Sequence, residues 1–229
     1  MRMPKAIGPQ AAEERFQKRI IEWSEAHPRW FPWREQTDPF AVLIAEVMLR
    51  RTRAEQVAPV FERFMQRFPN ALSLTRASEL EVEPIVRPLG LAWRTPTFRL
   101  LAEALLARHG GQVPPDYEEL RRLPGVGDYV AAAVSIFAFN LPLVPVDTNT
   151  VRVAGRYFGF PYHAESRRNR DVRKQVARLV DFSRPGDSAR ALLDFAAVTC
   201  RAGHPRHEEC PVARFCLYAS QTGSPGLIA

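Results

Sequence analysis

The stretch that decides the fold of this chain is Leu123-Pro124-Gly125-Val126-Gly127, which leads directly into a run of small and apolar residues at 129–136. Two glycines one residue apart allow the backbone to turn tightly and to come close to a ligand. A helix that begins after Gly127 would offer its unpaired N–H groups, at the positive end of its dipole, to an anion. The same residues also fit a plain connection between two helices, with a glycine ending the first helix.

A second informative residue is Asp147, which follows an apolar run and precedes the next predicted helix in Val146-Asp147-Thr148. An aspartate in that position can act as an N-cap, which is a purely structural role. It can also be a catalytic carboxylate set at the end of the hairpin unit. The residues alone leave both interpretations open.

Apolar residues recur with helical spacing along most of the chain, and proline and glycine clusters separate the segments. No stretch alternates for long enough to predict a strand. The predicted fold class is therefore all-α with short connections. Asp38-Pro39 is read as an N-cap followed by the first helical residue, and the predicted helices cover residues 13–26, 39–50, 53–68, 77–86, 97–109, 117–122, 128–139, 151–158, 168–180 and 188–199.

Composition points to a folded protein that meets a polyanion. The 229 residues are 46% hydrophobic, which excludes a mainly disordered chain. No apolar run is long enough to span a membrane, and residues 1–10 lack the apolar segment of a secretory signal. We therefore expect a cytoplasmic protein, nucleoid-associated if bacterial, and a monomer. The net charge is +7, and nearly all the basic residues are arginines, which bind phosphate with two parallel hydrogen bonds. An arginine-rich solvated surface is the alternative.

The cysteines form an odd, clustered set. Cys200, Cys210 and Cys216 are the only three, and all lie near the C-terminus. In a chain without a secretory signal this grouping favours a metal site over disulfides.

Taken together, the hairpin, the Val146-Asp147-Thr148 segment and the cysteines resemble the helix-hairpin-helix DNA glycosylases of the endonuclease III and MutY superfamily. The resemblance runs from about Arg15 to Cys216. It implies a six-helix barrel containing the hairpin at residues 32–143, and an iron–sulfur cluster domain formed by residues 1–31 and 144–229. It also implies a partner, duplex DNA with a mismatched or damaged base, which is flipped out of the helix before its glycosidic bond is cut.

The resemblance assigns roles to single residues. Asp147 matches the catalytic carboxylate, and Leu123, Gly125, Val126 and Gly127 match the DNA-binding hairpin. Glu46 lies in an apolar segment where adenine-specific members carry a base-protonating glutamate, although an exposed position on a polar helix face is also plausible. Members that also cleave the strand carry a lysine two residues after the last hairpin glycine. Tyr129 occupies that position here, which implies a monofunctional enzyme with a base pocket lined by Tyr129.

Substrate preference is read from two features. Adenine-specific members carry two glutamines where this chain has Arg50 and Arg51, and the Arg-Arg-Thr sequence resembles that of mismatch-specific thymine glycosylases. The chain also ends at Ala229, without the extra domain that adenine-specific members use to read 8-oxoguanine. We therefore predict removal of thymine or uracil opposite guanine, with Arg50 and Arg51 beside the flipped base or in its vacated space. Trp93 is either a wedge between base pairs or a core aromatic.

The family's iron–sulfur pattern, Cys-x6-Cys-x2-Cys-x5-Cys, falls on Cys200, His207, Cys210 and Cys216. Histidine can ligate cluster iron, as it does in Rieske centres. A [4Fe–4S] cluster with three cysteines and one histidine is the first expectation. The alternatives are a zinc site, a degenerate or lost cluster, and ligation by His204 instead of His207.

Two rival functions accompany this prediction. One is an adenine glycosylase acting opposite guanine or 8-oxoguanine. The other is a non-catalytic DNA-binding module of the same fold, which would need neither Asp147 nor Glu46.

Overall fold

The structure is a computed structural model that describes residues 9–90 and 95–222. Within these residues the regular elements are α-helices and short 3₁₀ turns, with no strand, so the all-α prediction is confirmed. None of the described helices is both long enough and apolar enough to cross a membrane. In chain order the α-helices are α1 Pro9–Ala26, α2 Pro39–Leu49, α3 Ala54–Arg67, α4 Ala71–Arg76, α5 Glu79–Val86, α6 Thr95–His109, α7 Tyr117–Arg121, α8 Asp128–Phe139, α9 Thr148–Phe158, α10 Arg170–Ala177, α11 Pro185–Val198 and α12 Leu217–Gln221.

All ten helices predicted from periodicity occur, with ends displaced by a few residues. Asp38 is the N-cap of α2, as expected, because its side chain accepts a hydrogen bond from the Phe40 amide at 3.0 Å. The short helices α4 and α12 were missed, because five or six residues are too few to show a helical period. Asn70 and Ser73 form a capping box that supports α4.

The chain divides into two compact units. The first, called the hairpin unit, is formed by residues 30–145 and contains α2 to α8. Its helix α2 is buried along almost its whole length, from Phe40 to Met48, and it packs against α8. The small side chains of α8, including Ala131 and Ala133, let the two helices approach closely and complete the core.

The second unit, called the cysteine unit, consists of residues 1–29 and 146–229, of which the structure describes 9–29 and 146–222. Helix α1 packs on α11, with Phe16 and Phe195 meeting edge to face at 6.1 Å. Helix α9 is largely buried and carries two buried arginines, Arg152 and Arg156. Because buried charges need polar partners, the contacts of these arginines are described below.

Candidate functional site

The predicted hairpin forms between α7 and α8. The Val126 amide donates to the Leu123 carbonyl at 3.1 Å and closes a tight turn. Leu123 and Val126 are buried and anchor the turn in the core of the hairpin unit. Gly125 has a φ of +78°, in the left-handed region that favours glycine, and a Cβ there would clash with the methyl group of Thr97. The four predicted hairpin residues thus divide into two apolar anchors and two glycines that shape the backbone.

The N-terminus of α8 can bind an anion. Gly127 is exposed and is the N-cap, with no side chain to cap the first amide groups of this twelve-residue helix. Asp128 adds a carboxylate to the first turn, but Arg121 pairs with it, Nε to Oδ1 at 2.6 Å. The negative charge of Asp128 raises the pKa of Arg121. This ion pair joins α7 to α8 and offsets a charge that would repel phosphate.

Arg50 and Arg51 receive the same predicted role from the sequence, but their surroundings in the structure differ. Helix α2 ends at Leu49, and Arg50 is its extended C-cap. The Arg50 Nη1 donates to the carbonyl of Gly125 at 2.8 Å. Arg51 has a φ of +59° and is exposed, and its side chain makes no hydrogen bond or ion pair with any residue that the structure describes. A left-handed backbone at a residue other than glycine costs roughly 1–2 kcal/mol, so this turn is strained.

The two residues predicted to contact the base lie on the packed helices α2 and α8. Glu46 is only 5% exposed, so the alternative of a solvated glutamate on a polar face is wrong. Tyr129 is half-buried in the first turn of α8 and packs against the core of the hairpin unit. Each of these side chains brings a polar group into the largely apolar hairpin unit.

Asp147 is the N-cap of α9. Its Oδ1 accepts hydrogen bonds from the amides of Asn149 and Thr150 at 2.9 and 2.8 Å, and its Oδ2 accepts from Asn149 Nδ2 at 2.6 Å. The structural role weighed from the sequence is therefore confirmed. Three donors also fix the orientation of the carboxylate, as an electrostatic catalyst requires.

A line of hydrogen bonds runs from Asp147 to the first cysteine of the cysteine unit. Asn149 Oδ1 accepts from Arg152 Nη1 at 2.8 Å, and Arg152 Nε donates to the Cys200 carbonyl at 2.9 Å. Sequence reasoning missed both Asn149 and Arg152. A signal was present, because Arg152 and Arg156 lie four residues apart and are separated only by Val153, Ala154 and Gly155.

Cys200, Cys210, Cys216 and His207 line one pocket of the cysteine unit, which is called the cysteine pocket. His204, the alternative ligand, is exposed and is not among the residues that line the pocket. Tyr218 also lines it, with its ring 5.9 Å from that of His207.

The side chains that line the cysteine pocket include three thiols and one imidazole. No three cysteine, histidine, aspartate or glutamate side chains of the described residues are arranged to hold one metal ion. A single zinc ion needs its ligand atoms within roughly 2.0–2.3 Å of one centre. In a [4Fe–4S] cluster each ligand binds a different iron, so the ligands lie around a larger body. Three thiols and an imidazole form a donor set that either a cluster or a zinc ion accepts.

Arg156 gives the cysteine pocket a buried positive charge. It is 5% exposed, and its guanidinium donates to Cys200 Sγ at 3.5 Å and to the carbonyls of Arg201 and Ala202 at 2.6 and 2.8 Å. No carboxylate of the described residues pairs with it, and its Nε is buried without a hydrogen-bond partner there. Burying a cation without a carboxylate partner lowers the stability of the fold unless another anion lies beside it. A thiolate-bound cluster would supply that negative charge.

Burial sets the protonation of the ligands when no metal is bound. It raises the pKa of Cys210 to about 12 and that of Cys216 above its ordinary value. Burial, and then the charge of Arg156, lower the pKa of His207, which favours the neutral imidazole. Trp93, the remaining predicted DNA contact, lies outside the described residues.

Comparison with known proteins shows what this arrangement is similar to. Residues 44–179 match the model of the HhH-GPD superfamily base excision DNA repair proteins. The thymine-DNA glycosylase of Aeropyrum pernix is 35% identical over 90% of this chain and 94% of its own length. The thymine/uracil-DNA glycosylase of Pyrobaculum aerophilum is 37% identical over 87% of this chain and 89% of its own.

Comparison with solved structures agrees with these sequence matches. The solved structure of a thermostable thymine-DNA glycosylase superposes with a TM-score of 0.84 at 30% identity, over 92% of this chain and 97% of that one. Adenine DNA glycosylases also match, at 28–31% identity, but the chain spans less than half of their length.

Proposed function

The chain belongs to the HhH-GPD superfamily of base excision DNA repair proteins, and we propose that it is a monofunctional DNA glycosylase that removes thymine or uracil opposite guanine. The observation that carries this proposal is the Asp147 carboxylate, which is fixed by three donors at the start of α9. Relatives named as thymine- or thymine/uracil-DNA glycosylases, 31–37% identical over most of the chain, support the choice of base. A DNA substrate also supports the cytoplasm as its place of action.

The proposed mechanism gives each residue one task. The hairpin backbone and the N-terminus of α8 bind a phosphate of the substrate strand. Arg51 fills the space that the flipped base leaves. Glu46 and Tyr129 contact the extruded base, and Asp147 stabilises the positive charge that develops on the sugar and orients the attacking water.

We assign a [4Fe–4S] cluster to the cysteine pocket, bound by Cys200, His207, Cys210 and Cys216. When bound, the cluster supplies a structural cross-link and negative charge. Arg156 holds the loop around it through the carbonyls of residues 201 and 202. The loop presents Arg206 and Arg214, both exposed, to the DNA backbone.

The experiment that tests the function uses duplexes that each carry one mismatch or one damaged base. After incubation with the protein, alkali cuts the strand wherever a base has been released. We expect cutting at thymine and uracil opposite guanine and none in matched duplexes. Cutting only at adenine would establish the second candidate, adenine removal, which the matches to adenine glycosylases and the buried Glu46 favour. If no duplex were cut at any site, the remaining interpretation would be a non-catalytic DNA-binding module.

A monofunctional enzyme should form no Schiff base with its product. Tyr129 occupies the position of the lyase lysine, and no lysine lies between Lys18 and Lys174. We expect no covalent protein–DNA adduct when borohydride is added during turnover. The Tyr129→Lys variant is the matched positive control, because it places an amine at that position. Efficient trapping by the unchanged protein would contradict the assignment.

Duplex binding should weaken steeply with salt. Each neutralised phosphate lowers log K by roughly 0.9 per unit of log salt. With as few as two phosphates bound, a fourfold rise in salt concentration weakens binding about tenfold. Fluorescence anisotropy of a labelled duplex across a salt series gives the slope. An affinity that stays constant across the series would exclude the hairpin as a phosphate site.

A further inference from the structure

One long-range contact in the hairpin unit joins two segments that the proposed function uses separately. Arg50 follows the last residue of α2, and its Nη1 donates to the carbonyl of Gly125 at 2.8 Å. The two residues are 75 positions apart in the chain. A hydrogen bond from a charged donor is stronger than one between neutral groups, so this contact can restrain a loop.

The carbonyl that Arg50 holds belongs to the centre of the hairpin turn. Gly125 has a left-handed backbone, and the Thr97 methyl group fills the space where a Cβ would be. The turn is therefore restrained by its own Val126–Leu123 hydrogen bond, by Thr97 and by Arg50. Of these three, only Arg50 reaches the turn from the helix that carries Glu46.

The spacing on α2 gives this contact a consequence. Glu46 and Arg50 are four residues apart, which is about one helical turn. The position of the phosphate-binding turn is thereby tied to the position of the buried glutamate. A shift of the hairpin relative to α2 would break the Arg50 hydrogen bond.

We propose that Arg50 is a positioning residue that holds the hairpin turn in register with α2, and that Arg51 alone of the two arginines contacts the bases. The inference rests on the proposed function, because it assigns the hairpin to phosphate and Glu46 to the base. Arg51 supports the division, since its side chain is exposed and makes no hydrogen bond or ion pair with a described residue, whereas Arg50 is bonded to the hairpin. Two adjacent arginines thus have separate tasks.

The test compares Arg50→Met, Arg50→Lys and Arg51→Met with the unchanged protein. Arg76→Met is the matched control, because Arg76 is exposed, lies in the same unit and makes no side-chain hydrogen bond with a described residue. Affinity for matched and G·T duplexes is measured by fluorescence anisotropy. Single-turnover base release is measured as a function of enzyme concentration, and thermal unfolding reports on the fold.

We expect Arg50→Met to weaken binding of both duplexes about tenfold, so that the mismatch preference is retained. The enzyme concentration for half-maximal release should rise by the same factor, while the rate at saturation falls far less. Arg50→Lys should recover part of the affinity, because an ammonium group can donate to the same carbonyl. Arg51→Met should instead lower the mismatch preference.

Three results would overturn the inference. A loss of mismatch preference in Arg50→Met at unchanged affinity for matched DNA would make Arg50 a base contact. A lower unfolding temperature with unchanged affinity would make its role purely structural. If Arg76→Met and Arg50→Met weakened duplex binding equally, Arg50 would act only through its contribution to the net charge. If the unchanged protein releases no base from any mismatch, the proposed function fails, but the binding comparison still decides the role of Arg50.

Discussion

The Asp147→Asn variant is expected to release the mismatched base roughly 10²–10⁴-fold more slowly than the unchanged protein. Cleavage of the glycosidic bond builds positive charge on the sugar, and asparagine removes the negative charge that stabilises it. Asparagine is as good an N-cap as aspartate, so α9 should remain intact. Single-turnover release from a G·T duplex at saturating enzyme measures the effect.

Affinity and fold provide the controls for this prediction. Asp147→Asn should bind the mismatch as tightly as before, because the phosphate contacts are unchanged. Asp38→Asn is the matched control, since Asp38 caps α2 through the same kind of side-chain hydrogen bond. A near-normal release rate in Asp147→Asn would mean that its carboxylate only caps a helix.

The second large effect concerns His207, whose replacement by alanine is expected to remove the iron–sulfur cluster from the protein. The unchanged protein should purify brown, with iron and sulfide in equal amounts. Loss of one ligand leaves an iron exposed to solvent, and loss of the cluster leaves Arg156 buried without an anion beside it. Iron and sulfide analysis, visible absorbance and thermal unfolding measure the result independently of base release.

Two matched variants separate ligation from packing. His207→Cys should keep the cluster and lower its reduction potential, because a thiolate adds negative charge where imidazole adds none. His204→Ala should keep the cluster unchanged, since His204 is exposed and does not line the cysteine pocket. Colourless protein with one zinc ion per chain would reject the cluster. If the His207→Ala protein were still brown, the cluster would stand and only the assignment of His207 as its ligand would be rejected.

Much of the local structure could be predicted. The N-cap at Asp38 and the hairpin at residues 123–127 follow from residue types within a few positions of one another. The short helix α4 could not, because a single turn and a half leaves no measurable period. The end of α2 was also misplaced by one residue, since Arg50 is drawn into an extended conformation where its side chain reaches Gly125.

In the candidate site, too, some residues could be predicted from the sequence and others could not. The sequence singled out Asp147, Glu46, Tyr129 and the cysteine segment, because each carries a reactive side chain at a position that matches a motif of the family that the chain resembles. It did not distinguish Arg50 from Arg51, since adjacent residues of one type look alike until their partners are known. It also gave no role to Arg156, whose contacts with Cys200 and the two following carbonyls exist only after α9 and the cysteine segment have packed.

The sequence by itself determined the ten longer or better-marked helices, the cap at Asp38, the hairpin turn and the set of candidate ligands, because these depend on residue types and hydrogen bonds within short stretches of chain. Only the tertiary structure decided which arginine holds the hairpin, which histidine lines the cysteine pocket, and where the buried charge lies. Those contacts join residues 44 and 75 positions apart. The path of the folded chain sets such pairs, because close packing admits one arrangement among many that the residue types alone would allow.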